Sequence, residues 1–180
     1  TTTSATKVYA ATNPTFSFTS SGLKNSETIS SVTNTFTGTG SYNSTTIPSD
    51  VGTYTLTPSV AVFAGSASAS NYNITYATVA YEITKASQTL SLVYPNSNSK
   101  VFTSTTETIT ASTKTTSGDG TLTFTTTAAS SICTVNSSDG VITTKGAGSC
   151  PVTMTASATS NYNSNSTITT FVITAGTPIS

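Results

Sequence analysis

SNYNITYATVAYEITKA (residues 70–86) and SNYNSNSTITTFVITAG (residues 160–176) are the same stretch read twice, ninety residues apart. Ser70-Asn71-Tyr72-Asn73 returns as Ser160-Asn161-Tyr162-Asn163, and Tyr81-x-Ile83-Thr84 returns as Phe171-x-Ile173-Thr174. Each copy reads as a polar, Asn-rich turn followed by a half-buried strand, the closing element of a small β module. A second echo fixes the other end, because Lys7-Val8-Tyr9 recurs as Lys100-Val101-Phe102. An ending and a beginning that both recur make two tandem modules, 1–86 and 87–180, each near the small end of independent folding.

Composition sets the class. Ser and Thr supply about two residues in five, and the remaining character comes from Val, Ile, Tyr and Phe. Those residues fit a pleated, half-buried surface, so the expected fold is all-β. The six Lys stand singly with no Arg beside them, which excludes the basic patch that phosphate contacts require and with it a nucleic-acid partner. No apolar run reaches the ~18 residues of a membrane-spanning helix. The chain begins at Thr1, and the expectation is a mature piece of a longer secreted or cell-surface protein.

Along the first module, Thr15-Phe16-Ser17-Phe18-Thr19 alternates as a strand would, with both rings on one face. Residues 21–31 lose the alternation and fit either a loop or one helical turn. Strands are expected again at Val32–Thr39 and at Gly52–Thr57, with a turn-rich patch between them. In the second module the spacing predicts a strand over Gln88–Tyr94, then Glu107–Thr115 and Thr121–Thr127 as a hairpin about Ser117-Gly118-Asp119-Gly120. Cys133–Val135, Val141–Thr143 and Cys150–Met154 follow.

Cys133 and Cys150 are the only cysteines. In a chain of this composition a disulfide between them is the expected state, with two buried free thiols as the alternative. Thiol catalysis is disfavoured, since the chain has no His to hold a thiolate and Lys145 is a poor substitute.

Two resemblances follow from particular residues. Ser131-Ile132-Cys133-Thr134-Val135, Gly146-Ala147-Gly148-Ser149-Cys150-Pro151-Val152-Thr153 and Ser160–Asn163 resemble bacterial Ig-like repeats. That likeness implies a sandwich of about seven strands whose cysteines bridge strands. Lys7-Val8-Tyr9, Asn13-Pro14-x-Phe16, Ser21-Gly22-Leu23, Val51-Gly52-Thr53-Tyr54 and Ser70–Tyr76 resemble the bacterial MBG-type repeat, a β-grasp-like module. Many such repeats carry Gly after the Tyr where this chain has Ala10. Neither resemblance carries a catalytic residue; both imply a spacer or adhesive role in a long surface protein.

Candidate sites are few. Without His there is no Ser-His-Asp triad, and a Ser-Lys pairing says nothing in a chain so rich in Ser. Asp119 and Asp139 both sit in Gly turns, where Asp serves backbone geometry, so no metal ligand, catalytic residue or cofactor is expected. Lys85 and Glu82 suggest the Lys–Asn crosslink of some surface modules, against the blander reading of a solvated strand face. The runs Thr35/37/39, Thr53/55/57 and Thr121/123/125 read either as ice-binding ranks or as the wet side of half-buried strands. Four Asn-x-Ser/Thr matches, beginning at Asn43, Asn73, Asn136 and Asn165, are what chance supplies at this Asn, Ser and Thr content. The longer lead-in before Lys100 than before Lys7, and the tail after Gly176, suggest one period of an array. Its partners would then be neighbouring copies, joined in tandem or by strand donation. The expected function is a structural or adhesive extracellular repeat without catalysis, with a carbohydrate- or ice-binding module as the alternative.

Overall fold

The computed structural model describes residues 5–176, and the chain separates into two compact units, Thr1–Ala86 and Ser87–Ser180. The lead-in over residues 1–4 and the tail over 177–180 lie outside the described residues. Both units are built from strands, as the composition requires.

The first unit is one mixed sheet of β1 (Ala5–Val8), β2 (Ile29–Gly38), β3 (Tyr42–Ser44), β4 (Gly52–Phe63) and β5 (Val79–Thr84), in the order β1-β5-β4-β2-β3. Strand alternation divides its faces: Tyr54 and Leu56 of β4 are buried while Thr53 and Thr55 between them are exposed. With Phe36, Tyr81 and Ile83 they form the core. Irregular chain rather than a helix lies against this face. Phe16 sets its ring edge-on to Phe36 and Tyr81, with centroids 5.3 and 5.2 Å away, a favoured aromatic geometry. The strand expected at Thr15–Thr19 is therefore not a ladder strand; Phe18 makes an isolated bridge only. Its rings serve packing instead of pairing. Residues 21–28 resolve as loop. Asn25 and Ser26 are both left-handed, with φ of 52° and 59°, a conformation that a right-handed helix cannot propagate.

The second unit contains β6 (Leu90–Val93), β7 (Ser99–Phe102), β8 (Glu107–Ile109), β9 (Thr113–Thr116), β10 (Leu122–Thr126), β11 (Cys133–Val135), β12 (Ile142–Thr144), β13 (Gly148–Ala156) and β14 (Asn165–Ala175). They form sheets β10-β13-β14-β7, β11-β12-β8 and β6-β9. One buried cluster draws on all three sheets, from Leu92 and Ile109 to Phe124, Ile142, Val152 and Phe171. The turn from β6 to β7 runs through Asn96 and Ser97, both left-handed at φ 53° and 54°. It moves the chain from one sheet to another. Counting β6 with β7 and β8 with β9 as strands that switch sheets leaves seven.

Two expectations fail here for one reason. Glu107–Thr115 is not a single strand: β8 pairs with β12, whereas β9 pairs with β6. Ser117–Gly120 is not a hairpin turn either, because β9 pairs with β6 and β10 pairs with β13. The segment carries the chain between sheets, and the buried Gln88 holds it there. Its Oε1 accepts from Gly120 N–H at 3.1 Å and from the Thr116 hydroxyl at 3.2 Å, and its Nε2 donates to the Ser157 and Asn163 carbonyls at 2.9 and 2.7 Å. A side chain added at Gly120 would collide with the Ser157 carbonyl at 2.3 Å, so the close approach requires glycine.

The two echoes in the sequence turn out to be the two halves of one pairing. In the first unit β1 runs parallel to β5, with Lys7 opposite Ile83 and Val8 opposite Thr84. In the second, β7 runs parallel to β14, with Lys100 opposite Ile173 and Val101 opposite Thr174. Even the side-chain link repeats, since Thr84 and Thr174 each donate through Oγ1 to the carbonyl of Lys7 and Lys100, both at 3.4 Å.

Candidate functional site

Cys133 of β11 and Cys150 of β13 are joined as a disulfide with Cα atoms 6.1 Å apart, within ordinary bridge geometry. Both are buried, and the bridge ties the three-stranded sheet to the four-stranded one. Nearby, the buried Tyr94 hydroxyl donates to the Gly140 carbonyl at 2.5 Å. Burial, reinforced by the Asp139 charge, pushes its pKa up to about 12.

The other singled-out residues have local duties. Asp139 Oδ1 accepts the Val141 N–H at 2.9 Å, and Asp119 Oδ1 accepts from the Thr159 hydroxyl at 2.7 Å. Among the described residues no three His, Cys, Asp or Glu side chains gather as a metal site would need. Glu82 and Lys85 are exposed at the end of the first unit. Lys100 pairs with Glu107, and that hydrogen bond, ahead of one from Thr103, lowers the Glu107 pKa. The Thr runs pair across strands, Thr35 with Thr57 and Thr37 with Thr55, then Thr123 with Thr155 and Thr125 with Thr153. Thr39 leaves its run to bond Thr53 through both backbone groups. These ranks are two strands wide in their Thr–Thr pairing and lie on the face opposite Leu56 and Phe124.

A concave feature of the first unit lies where the two copies of the closing stretch diverge. In the second unit β14 stays with β13 over Asn165–Ile173. In the first, β5 pairs with β4 over Val79–Ile83 only, and residues 72–78 leave the ladder. A groove of about 390 Å³ opens there, walled by Phe18, Phe63, Tyr72 and Tyr76, with Ile29 and Val32 of β2 beneath. All four aromatic residues are half-buried.

The rings are held from behind. Phe63 and Tyr72 stack nearly parallel, 17° between planes and 5.2 Å between centroids. The Tyr72 hydroxyl donates to Glu27 Oε2 and accepts the Lys24 N–H at 3.0 Å. The bond to the Glu27 carboxylate raises the Tyr72 pKa. Tyr76 accepts the Ala61 N–H at 2.8 Å, which fixes a bulge in β4. The β2–β4 register shifts between Ile29 and Thr33, and Val60 opposite that shift sits at φ 48°. A left-handed β-branched residue is strained. Burial does not hold Val60 there, because it is 66 % exposed.

The groove is not legible in the sequence. Ser70–Asn73 reads as a turn and Phe18 as part of a strand face, and nothing local brings them beside Phe63. The available signal was the mismatch between the copies. Ile74 and Tyr76 stand where the second copy has Ser164 and Ser166.

No curated protein matches the chain significantly. Among solved structures, the protocadherin γB4 extracellular domain matches at 11% identity with a TM-score of 0.33, over 81% of this chain and 28% of that one. The chain thus spans less than a third of that structure's length, and the likeness is too loose to build on. Residues 1–82, nearly the whole first unit, match the family described as the MBG domain of the YGX type.

Proposed function

We propose that the chain is a load-bearing structural repeat of an extracellular protein: an MBG-type unit followed by an Ig-like one, without catalysis, strung with neighbours of the same kind. One observation carries this reading. In each unit a strand near the beginning runs parallel to the last strand and beside it, β1 with β5 and β7 with β14. Parallel neighbours point the same way, so the chain comes in at one end of a unit and leaves at the other. Tension then loads the hydrogen bonds between those strands along the strand direction, together and not one at a time. The MBG match over residues 1–82 supports a repeat role, and the Cys133–Cys150 bridge suits an oxidising, extracellular setting.

Force spectroscopy on the full chain held by its ends tests this. Each unit is expected to rupture in one discrete high-force step. Smooth extension at low force would remove the load-bearing role.

A further inference from the structure

We propose that the groove of the first unit is a binding site for a neutral saccharide, which would make the repeat adhesive as well as structural. The inference is separate from the load-bearing reading and does not depend on it.

The chemistry of the lining selects the ligand class. Among the described residues lining the groove none carries a formal charge, so an acidic or basic peptide, a nucleotide or a sialylated glycan finds no ionic partner there. The half-buried aromatic residues Phe18, Phe63, Tyr72 and Tyr76 line the groove together with Ser20, Ser21, Asn73 and Thr75, which carry hydroxyl and amide groups. A sugar ring has matching character: C–H faces that pack on aromatic rings, and hydroxyls at its edge that exchange hydrogen bonds with short polar side chains. The volume of about 390 Å³ falls in the ~300–1,000 Å³ range of small-ligand sites.

Preorganisation supports the same assignment. Tyr72 is fixed by a stack on Phe63 and by hydrogen bonds to Glu27 and Lys24, so little ring freedom remains to be lost on binding. Tyr76 is fixed by the Ala61 N–H at 2.8 Å, an interaction in which its hydroxyl is the acceptor. The strain at Val60, with φ of 48°, lies in the bulge that Tyr76 secures. Bulges and strained residues gather where a strand must re-aim side chains at a binding surface. The second unit makes the internal comparison: where its closing stretch has Ser164 and Ser166 in place of Ile74 and Tyr76, β14 stays paired with β13 down to Asn165.

The experiment is a titration of the ¹⁵N-labelled full chain with cellohexaose, maltohexaose and N-acetylchitohexaose at millimolar concentrations, followed by amide shifts. At least one is expected to bind, with shifts confined to residues 18–23, 29–32, 58–63 and 72–77. Phe18→Ala and Asn73→Ala, each checked by its melting curve, are expected to weaken binding about tenfold, equivalent to ~1.4 kcal/mol. The proposal is overturned if none of the three saccharides shifts any amide, if the shifts fall elsewhere, or if both folded variants bind like the parent. Should neither variant fold, the shift map of the parent decides alone. Perturbation by an uncharged extended Thr/Val peptide but by no saccharide would assign the groove to strand addition and overturn the proposal too.

Discussion

Two buried tyrosines, one in each unit, carry opposite residue-scale consequences. Tyr81 is 1 % exposed at the centre of the first core, and among the described residues its hydroxyl has no hydrogen-bond partner. A buried, unpartnered hydroxyl costs about 1–3 kcal/mol in desolvation. The echoing position in the second unit is Phe171, equally buried. Tyr81→Phe is therefore expected to stabilise the first unit by about 1 kcal/mol in urea unfolding; a loss of that size would reveal a partner for the hydroxyl. Tyr94 differs because its hydroxyl is bonded to Gly140. Its folded pKa, about 12, lies above the ordinary tyrosine value. The unfolded chain therefore releases this proton first. The contribution is complete below pH ~10 and is lost as pH rises from ~10 towards the folded value. Melts of the second unit across that window should show the fall, and Tyr94→Phe should flatten it while costing stability at neutral pH. A steeper alkaline fall in Tyr94→Phe would contradict the assignment.

At the scale of elements, the parallel closing pair was half legible. Lys7-Val8-Tyr9 is visible as a recurring beginning and Tyr81-x-Ile83-Thr84 as a recurring closing strand, because alternation and repetition are local properties. That they lie against each other was not legible, since pairing partners 76 residues apart leave no mark in either segment (Lys7 with Ile83). The same limit explains Ser117–Gly120: its Gly-Asp-Gly composition reads as a hairpin turn, but the segment crosses between sheets, because Gln88 and the core decide to which sheet each flanking strand belongs. The groove was the least legible feature, being made where a strand stops pairing. The pair itself can be tested by register. Tyr9 N–H bonds the Thr84 carbonyl at 2.8 Å, so with period two the Lys7 N–H also faces β5, while Val8 faces away. Val8 O instead accepts from Ala11 N–H at 3.0 Å. Proline on an edge strand is tolerated only where the missing N–H pointed outward. Lys7→Pro is thus expected to lower the rupture force of the first unit, and Val8→Pro to leave it nearly unchanged. Equal effects would mean that this ladder does not bear the load.

For the whole molecule under tension, the disulfide limits how far the chain can lengthen. Force applied at the ends reaches Cys133 and Cys150 only after the second unit has ruptured, since β14 and its partners must separate first. Once it has, the bridge keeps the segment between them, a separation of 17 residues, from extending. Fully extended, that segment would span about 55–60 Å, so the oxidised chain should release about 50 Å less length than the reduced chain. Reduction should also lower the stability of the second unit by about 3 kcal/mol through the freed loop entropy. The two effects are separable, because the length change depends on geometry alone and the stability change on the unfolded state. The bridged segment stays short after rupture, and refolding starts from a chain whose β11 and β13 are already joined. If the oxidised and reduced chains released equal lengths, the bridge would lie outside the unfolded contour, and the second unit would be rupturing along a path that leaves β11 to β13 folded.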